Sequence, residues 1–298
     1  MIDFFTMKLF IMVAESGSLS RAADAANLAI GAISRRIALV EQDLGVQLLL
    51  RNSRGVTLTP AGNAFLAHSR RIVRDVDFVT SDLSDYARGL KGSVSIRACT
   101  SAVAQFLPAD LVAFNKAHND IRIDIEEHDS GRILDQISSG EAEIGVIVEE
   151  PRRYELDTWP YRRDRLVLVA PPHVLFGTQS VRFQDLCEMQ FVQMGEHTAN
   201  TRLLARTAQE QGWSLRLRAT VNSYDTVCRM IQAGFGIGIL PRDAARNFIV
   251  GMGLKLVELD EPWADRRMLL VGDSAKLASS ARLLLDFLGN CADGPPHK

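Results

Sequence analysis

Four cysteines in 298 residues, Cys99, Cys187, Cys228 and Cys291, stand far apart, with no CxxC pair and no His/Cys cluster at metal-ligand spacing. That pattern speaks against a zinc site and fits a reducing compartment where the thiols are single and buried. No run approaches eighteen apolar residues, and MIDFFTMKLF at the N-terminus has no basic start, apolar stretch and small-residue cleavage site in succession. Neither a membrane span nor an export signal is expected, so the chain is placed in the cytoplasm with no membrane partner. GxSxG, HExxH and P-loop motifs are missing too. The stretch AGFGIGILP carries Gly234, Gly236 and Gly238 without the GxGxxG spacing, and is read as close strand packing. No enzyme, cofactor or metal is expected. Strong net charge is also lacking, at −2, which excludes a chain coated with basic residues.

What is there is an apolar fraction of 47 %, enough to fill more than one core, in a chain long enough for two or three domains. Charge is unevenly spread. From Met1 to Arg71 eight Lys and Arg (Lys8, Arg21, Arg35, Arg36, Arg51, Arg54, Arg70, Arg71) face five Asp and Glu (Asp3, Glu15, Asp24, Glu41, Asp43), so the remainder is net acidic.

Phe5, Leu9, Phe10, Met12 and Val13 recur at helical spacing, and Gly17 ends that helix with a cheap left-handed cap. Ser18 can cap a second, alanine-rich helix, LSRAADAAN. A third runs from about Gly31 to Leu44, with Ile33, Ile37, Val40 and Leu44 as its core stripe. Its other face, Gly31, Arg35, Ala38 and Gln42 with Ser34 at the flank, is small-sided with one long donor. VQLLL and GVTLT then form two short strands around the basic turn Asn52 to Gly55. Three helices and a basic hairpin make a winged helix-turn-helix, whose third helix enters the major groove by its N-terminal end while the wing follows phosphates or the minor groove.

Thr59 and Pro60 open a long helix by their cap and first-turn preferences. Phe65, Ile72, Val76, Val79, Leu83, Tyr86 and Leu90 mark a heptad-like seam, read as a coiled coil that dimerises the chain, with packing on its own domain as the alternative. Gly89 and Gly92 end it as a hinge. From Ser93 strands and helices alternate: VSIRACT, FLPADLVAFNKAH, IRIDIEEH, RILDQISSGE and AEIGVIV, then RLVLVAP, a helix from near Phe183, QFVQM, a helix from about Asn200 to Gln211, LRLRATV, SYDTVCRMIQAG and GIGILP. RRMLLVG and SARLLLDFLG remain, and returning them to the first α/β lobe leaves a ligand cleft between two lobes.

FIMVAESGSLSRAADAANL, AISRRIALVEQDLGVQLLLRNSRGVTLTPAG, FLPADLVAF, SSGEAEIGVIV, RDRLVLVAPPH and CRMIQAGFGIGILP occur in an order that resembles the LysR-type transcriptional regulators along the whole chain. The resemblance implies an N-terminal winged helix-turn-helix (1–58), a dimerisation helix and hinge (59–92), and a two-lobed α/β effector domain of the type 2 periplasmic-binding-protein-like kind (93–298). Lobe I is expected at about 93–163 and 267–298, and lobe II at about 164–266. Implied partners are double-stranded promoter DNA, a small-molecule effector, RNA polymerase and the chain itself, as a dimer or a tetramer of paired dimers.

Where the family has Ser-Gln-Pro or Ser-Gln-Ser at the start of the recognition helix, this chain has Ala29-Ile30-Gly31. Base readout is therefore assigned to Ser34 and Arg35, the latter able to pair bidentately with guanine, with Ile30 and Ala32 meeting thymine methyls and Gly31 permitting close approach. Arg36, Arg51, Arg54, Ser18 and Ser20 are phosphate or minor-groove candidates, Arg51 alternatively bracing the wing. Position in the resembling fold assigns the effector cleft to Thr100, Ser101, Ser130, Val148, His197, Thr198, Asn222, Ser223 and Tyr224. Thr100 and Ser101 can hold an anion or merely cap the helix that follows, and His197 can be an ordinary hydrogen-bonding residue. The competing function is a two-lobed small-molecule binding protein without DNA contact. Such a protein needs an export signal and no winged helix.

Overall fold

The computed structural model describes residues 2–52, 55–87, 92–151, 153–174 and 179–291. The chain divides into two compact units, one built on Met1–Leu90 and the other on the chain that follows.

In the first unit, helix α1 (Phe4–Ser16) is capped by Asp3, whose carboxylate accepts from the Thr6 N–H at 2.8 Å, and ends at Gly17 in the left-handed conformation. Helix α2 (Leu19–Ala26) is capped by Ser18, and Asn27 takes the left-handed position at its end. Helix α3 (Ile30–Leu44) buries Ile33, Ile37 and Val40 against Leu9, Phe10, Val13, Ala22 and Ala23. Leu44 does not join that stripe: it is 42 % exposed. Gly45 turns the chain there in the left-handed conformation, and the Glu41 carboxylate accepts from the N–H groups of Leu48 and Leu49 (2.8 and 3.0 Å), so Leu48 fills the core instead.

Strands β1 (Leu49–Asn52) and β2 (Gly55–Leu58) pair antiparallel, Asn52 opposite Gly55. Gly55 could be no other residue, because a Cβ there would lie 2.6 Å from the Gly17 carbonyl, and the Val56 N–H donates to that same oxygen. Helix α4 (Pro60–Ala87) starts where the Thr59 hydroxyl accepts from the Gly62 N–H at 2.9 Å. Phe65 does not belong to a free seam. Its ring meets Phe10 edge-on at 4.9 Å and closes the core of the unit. Further along, Ile72, Val76 and Val79 are 37, 42 and 57 % exposed, at a spacing that places them on one face.

In the second unit, parallel strands β3 (Gly92–Ala98), β4 (Ile121–Glu127) and β5 (Ile144–Val148) are linked by α5 (Thr100–Gln105), α6 (Leu107–Ala117) and α7 (Ser130–Ser138). Gly92, expected with Gly89 to form the hinge, is the first residue of β3, and Gly89 lies outside the described residues. At Gly92 the φ of 145° disfavours any side chain, and a Cβ would stand 3.1 Å from the Ser280 hydroxyl. Strand β6 (Asp157–Ala170) is far longer than the expected RLVLVAP. After it come β7 (Ser180–Val181), a four-residue 3-10 turn (Phe183–Leu186) at the place of the expected helix near Phe183, β8 (Gln190–Met194), α8 (Ala199–Glu210), β9 (Arg216–Val221), α9 (Tyr224–Gln232) and β10 (Gly238–Pro241). Helix α10 (Arg242–Met252) and β11 (Lys255–Leu259) were not anticipated. They precede β12 (Asp265–Gly272) and α11 (Ser279–Asn290).

The sheet order is β4-β3-β5-β12-β6-β11-β7, with β10 also on β6. Asp157 to Arg165 of β6 pair with β12 in lobe I, and Leu166 to Ala170 pair with β10 and β11 in lobe II. One strand is thus shared by both lobes, and β12 returns beside it to pair with β5. The glycine stretch does pack closely: a Cβ on Gly236 would stand 2.1 Å from the Gln190 carbonyl, to which the Ile237 N–H donates.

Candidate DNA-binding surface and ligand cleft

Ala29 precedes α3 without any side-chain cap, so the helix presents its N-terminal turn bare. Ile30 is 48 % exposed, and a Cβ on Gly31 would meet nothing within 4 Å. Among the described residues no contact accounts for a glycine there, which fits a surface approached from outside. Arg35 is exposed, and its Nε donates to the Gly31 carbonyl at 3.2 Å, which directs the guanidinium toward the helix start. Ala32 and Ser34 are half-buried beside it.

Arg36 is held differently. Its Nη1 donates to Asp3 (3.1 Å) and Thr6 (3.2 Å), and its head lies over the Phe5 ring at 5.2 Å, so an arginine expected at phosphate braces α3 against α1. The Asp3 carboxyl is held below its ordinary range, mainly by the Thr6 N–H. Ser18 is engaged in capping, and Ser20 is exposed. The Arg51 backbone pairs with Val56, while its side chain and the whole of Arg54 lie outside the described residues.

Of the two roles open to Thr100 and Ser101, capping does not apply, because Cys99 occupies the cap position of α5 without a side-chain bond. The Thr100 hydroxyl donates to Glu127 at 2.6 Å. The Ser101 hydroxyl faces the other lobe: it lies 3.0 Å from the Tyr224 phenol and 3.3 Å from Arg266 Nη2. Ser130 opens α7, buried, and its hydroxyl has no partner among the described residues. Val148 closes β5, also buried. Thr198 and Ser223 cap α8 and α9, Asn222 lies beside Gly195, and His197 is exposed with its carbonyl accepting from Arg202. The structure brings Ser101 and Tyr224 together and ties Thr100, Thr198 and Ser223 into local bonds.

Sequence reasoning missed the groups beneath this contact. Asp164 of β6 and Arg266 of β12 stand opposite one another in the ladder, both almost fully buried, joined by Nε to Oδ1 at 2.9 Å and by a second bond through Nη2. Gln105 of α5 donates to the same carboxylate at 3.0 Å. Burial alone would lower the Arg266 pKa, but the Asp164 carboxylate more than offsets it and the net shift is upward. Burial pushes the Tyr224 phenol up to about 12, against the pull of Arg266 and the Ser101 bond, and the Cys99 thiol up to about 11. The signal was present in RRDRL and DRRML, where charge interrupts otherwise apolar strands. A second buried set lies in lobe I, where Asp110 accepts from Arg162 and from the Tyr161 phenol, each at 2.6 Å. Burial, then Asp110, raises the Tyr161 pKa.

A three-helix unit with a two-stranded wing, followed by two α/β lobes sharing crossing strands, defines a DNA-binding protein with a ligand-binding domain. Residues 4–63 match the model of the bacterial regulatory helix-turn-helix protein, lysR family, and residues 87–292 match the LysR substrate binding domain, so the chain belongs to the LysR family of DNA-binding transcriptional regulators. It is 27 % identical to the RuBisCO operon transcriptional regulator of Allochromatium vinosum, covering 95 % of this chain and 94 % of that one. It is 24 % identical to the transcriptional dual regulator GltC of Bacillus subtilis, covering 95 % of each. Its fold is that of full-length CbnR, a LysR family regulator solved alone and with its target DNA (TM-score 0.72, 20 and 21 % identity, 98 % of this chain and 100 % of that one). Among the described residues no group of three or more His, Cys, Asp or Glu is placed to hold a metal, and no described helix is long and apolar enough to cross a membrane.

Proposed function

We propose that this regulator reads its operator through the bare N-terminal turn of α3 and changes its promoter contacts when an organic anion binds between the lobes. Residues 1–58 serve as the DNA-binding domain, 59–92 as dimerisation helix and hinge, and 93–298 as the effector domain. Arg35 and Ser34 read bases, Ile30 and Ala32 meet thymine methyls, and Arg51, Arg54, Ser18 and Ser20 lie along the backbone. Two copies associate through the face of α4 that carries Ile72, Val76 and Val79, which are exposed at a spacing that suits a two-helix seam. RNA polymerase is the further partner, the cytoplasm the site of action, and no catalytic turnover is assigned.

The observation that carries the ligand reading is the meeting of Ser101 and Tyr224 from opposite lobes, with the Ser130 hydroxyl left buried and unsatisfied. A hydroxyl in that condition is stabilised by an occupant that can donate or accept there, as a carboxylate does. A thermal-shift screen of small organic anions against the full chain tests it. An anion that raises the melting temperature and alters operator affinity, with both effects lost in Ser130→Ala, supports the reading. A ligand response that Ser130→Ala leaves intact refutes it.

A further inference from the structure

Arg35 and Arg36 leave α3 at successive positions, about 100° apart around its axis, and are held in different ways. Arg35 lies along the helix toward the Gly31 carbonyl, exposed and with no carboxylate partner among the described residues. Arg36 turns to α1, where its Nη1 donates both to the Asp3 carboxylate (3.1 Å) and to the Thr6 hydroxyl (3.2 Å), with the Phe5 ring 5.2 Å away. The Thr6 hydroxyl in turn donates to the same Asp3 oxygen at 2.9 Å, which closes a ring of three bonds. Asp3 is itself fixed as the cap of α1. The remaining seats of α3 on its neighbours, Ile33, Ile37 and Val40, are apolar. Apolar burial is non-directional, whereas hydrogen bonds favour near-linear geometry, so the ring adds an angular constraint that those contacts lack. As an ion pair it contributes little to stability, since the Arg36 and Asp3 side chains are 44 and 47 % exposed.

We infer, on the reading that the start of α3 enters the groove, that Arg36 is a positioning residue for base readout. Clamped to Asp3 and Thr6, it fixes the roll of α3 and so the direction from which Arg35 meets a base edge. Bidentate pairing with guanine needs the guanidinium in the plane of the base, and a small rotation about the helix axis is magnified at the tip of so long a side chain. The same clamp withholds the Arg36 charge from the phosphates. Of two adjacent arginines, one touches the DNA and the other aims it.

The test measures base preference by selection on random DNA, and operator affinity against salt, for variants of the full chain. Arg35→Ala marks the base position that Arg35 reads. Arg36→Met should relax preference at that same position by about tenfold, while the slope of log affinity against log salt stays native because no phosphate contact is lost. Asp3→Asn keeps a capping side chain and removes the carboxylate that holds Arg36. It should relax the same position and steepen the slope by about 0.9, the mark of one added phosphate contact. Adding Asp3→Asn to Arg36→Met should change neither quantity further. A slope that Arg36→Met makes shallower by about 0.9, with preference intact, makes Arg36 a phosphate contact and overturns the inference. An effect of Asp3→Asn that persists in the Arg36→Met background belongs to the Asp3 charge alone and also overturns it. Preference relaxed by Arg35→Ala but not by Arg36→Met overturns it too and leaves the groove reading standing. If Arg35→Ala itself leaves preference unchanged, both fall.

Discussion

Two ion pairs occupy adjacent rungs where β6 crosses beside β12, and they differ in almost every respect except sequence distance. Asp164 with Arg266 is buried, reinforced by Gln105 and adjacent to Ser101. Arg165 with Asp265, one residue on and reversed in sign, points to the opposite face of the ribbon, is partly exposed, and shares its guanidinium with Glu258 and the Leu259 carbonyl. The same residue types at neighbouring positions are in one case committed to a single geometry and in the other part of a screened network with Arg242. Burial, not residue identity, decides what an arginine is for.

The largest test of that contrast removes one buried partner. Arg266→Met should cost about 3–5 kcal/mol in urea unfolding, because Asp164 is left charged in a dry site, and Asp164→Leu added to it should recover most of the loss. In the native chain, Cys99 should react slowly with thiol reagents at neutral pH, its pKa being near 11, and Arg266→Met should speed that reaction by loosening the crossing. A cost below about 1 kcal/mol would merge the two pairs into one class.

An arginine with no carboxylate partner among the described residues, Arg35, extends the comparison to the first unit. Arg35→Ala should leave melting unchanged but cost about 1–3 kcal/mol of discrimination at one base position per half-site, read by selection on random DNA, while operator affinity falls steeply with salt. Uniform weakening at all positions would make Arg35 a phosphate contact. Ser18→Ala, which uncaps α2, should cost about 1 kcal/mol in stability, measured by urea unfolding. Smallest of all, Arg165→Ala should cost about 0.2–1 kcal/mol in the same assay, and less at high salt.

The winged unit was the more legible of the two, because its signals are local. Gly17, Ser18, Gly45, Thr59 and Pro60 each mark a boundary within a residue or two of where it falls. Leu44 and Phe65 were misplaced because periodicity gives a face and not what covers it: the turn at Gly45 releases one, and Phe10 claims the other. The α/β order was readable from alternation, but α10 and β11 were passed over between GIGILP and RRMLLVG, although Gly253 caps the helix and KLVEL alternates. Arg36 shows a further limit, since an exposed basic residue on a recognition helix looks the same in sequence whether Asp3 holds it or not. Asp164 and Arg266 lie about a hundred residues apart, and only the return of β12 reveals them as a pair.

Strand β6 carries one last consequence. Fourteen residues of extended chain, roughly 46 Å, belong to lobe I at one end and to lobe II at the other, and β12 is hydrogen-bonded alongside through the crossing. The pairing with β12 ends at Arg165, after one register shift between Arg267 and Leu269, and pairing with β10 and β11 takes over from Leu166. The lobes are joined there by hydrogen-bonded strand and not by a loose linker, so strain set up in one lobe has a stiff path to the other.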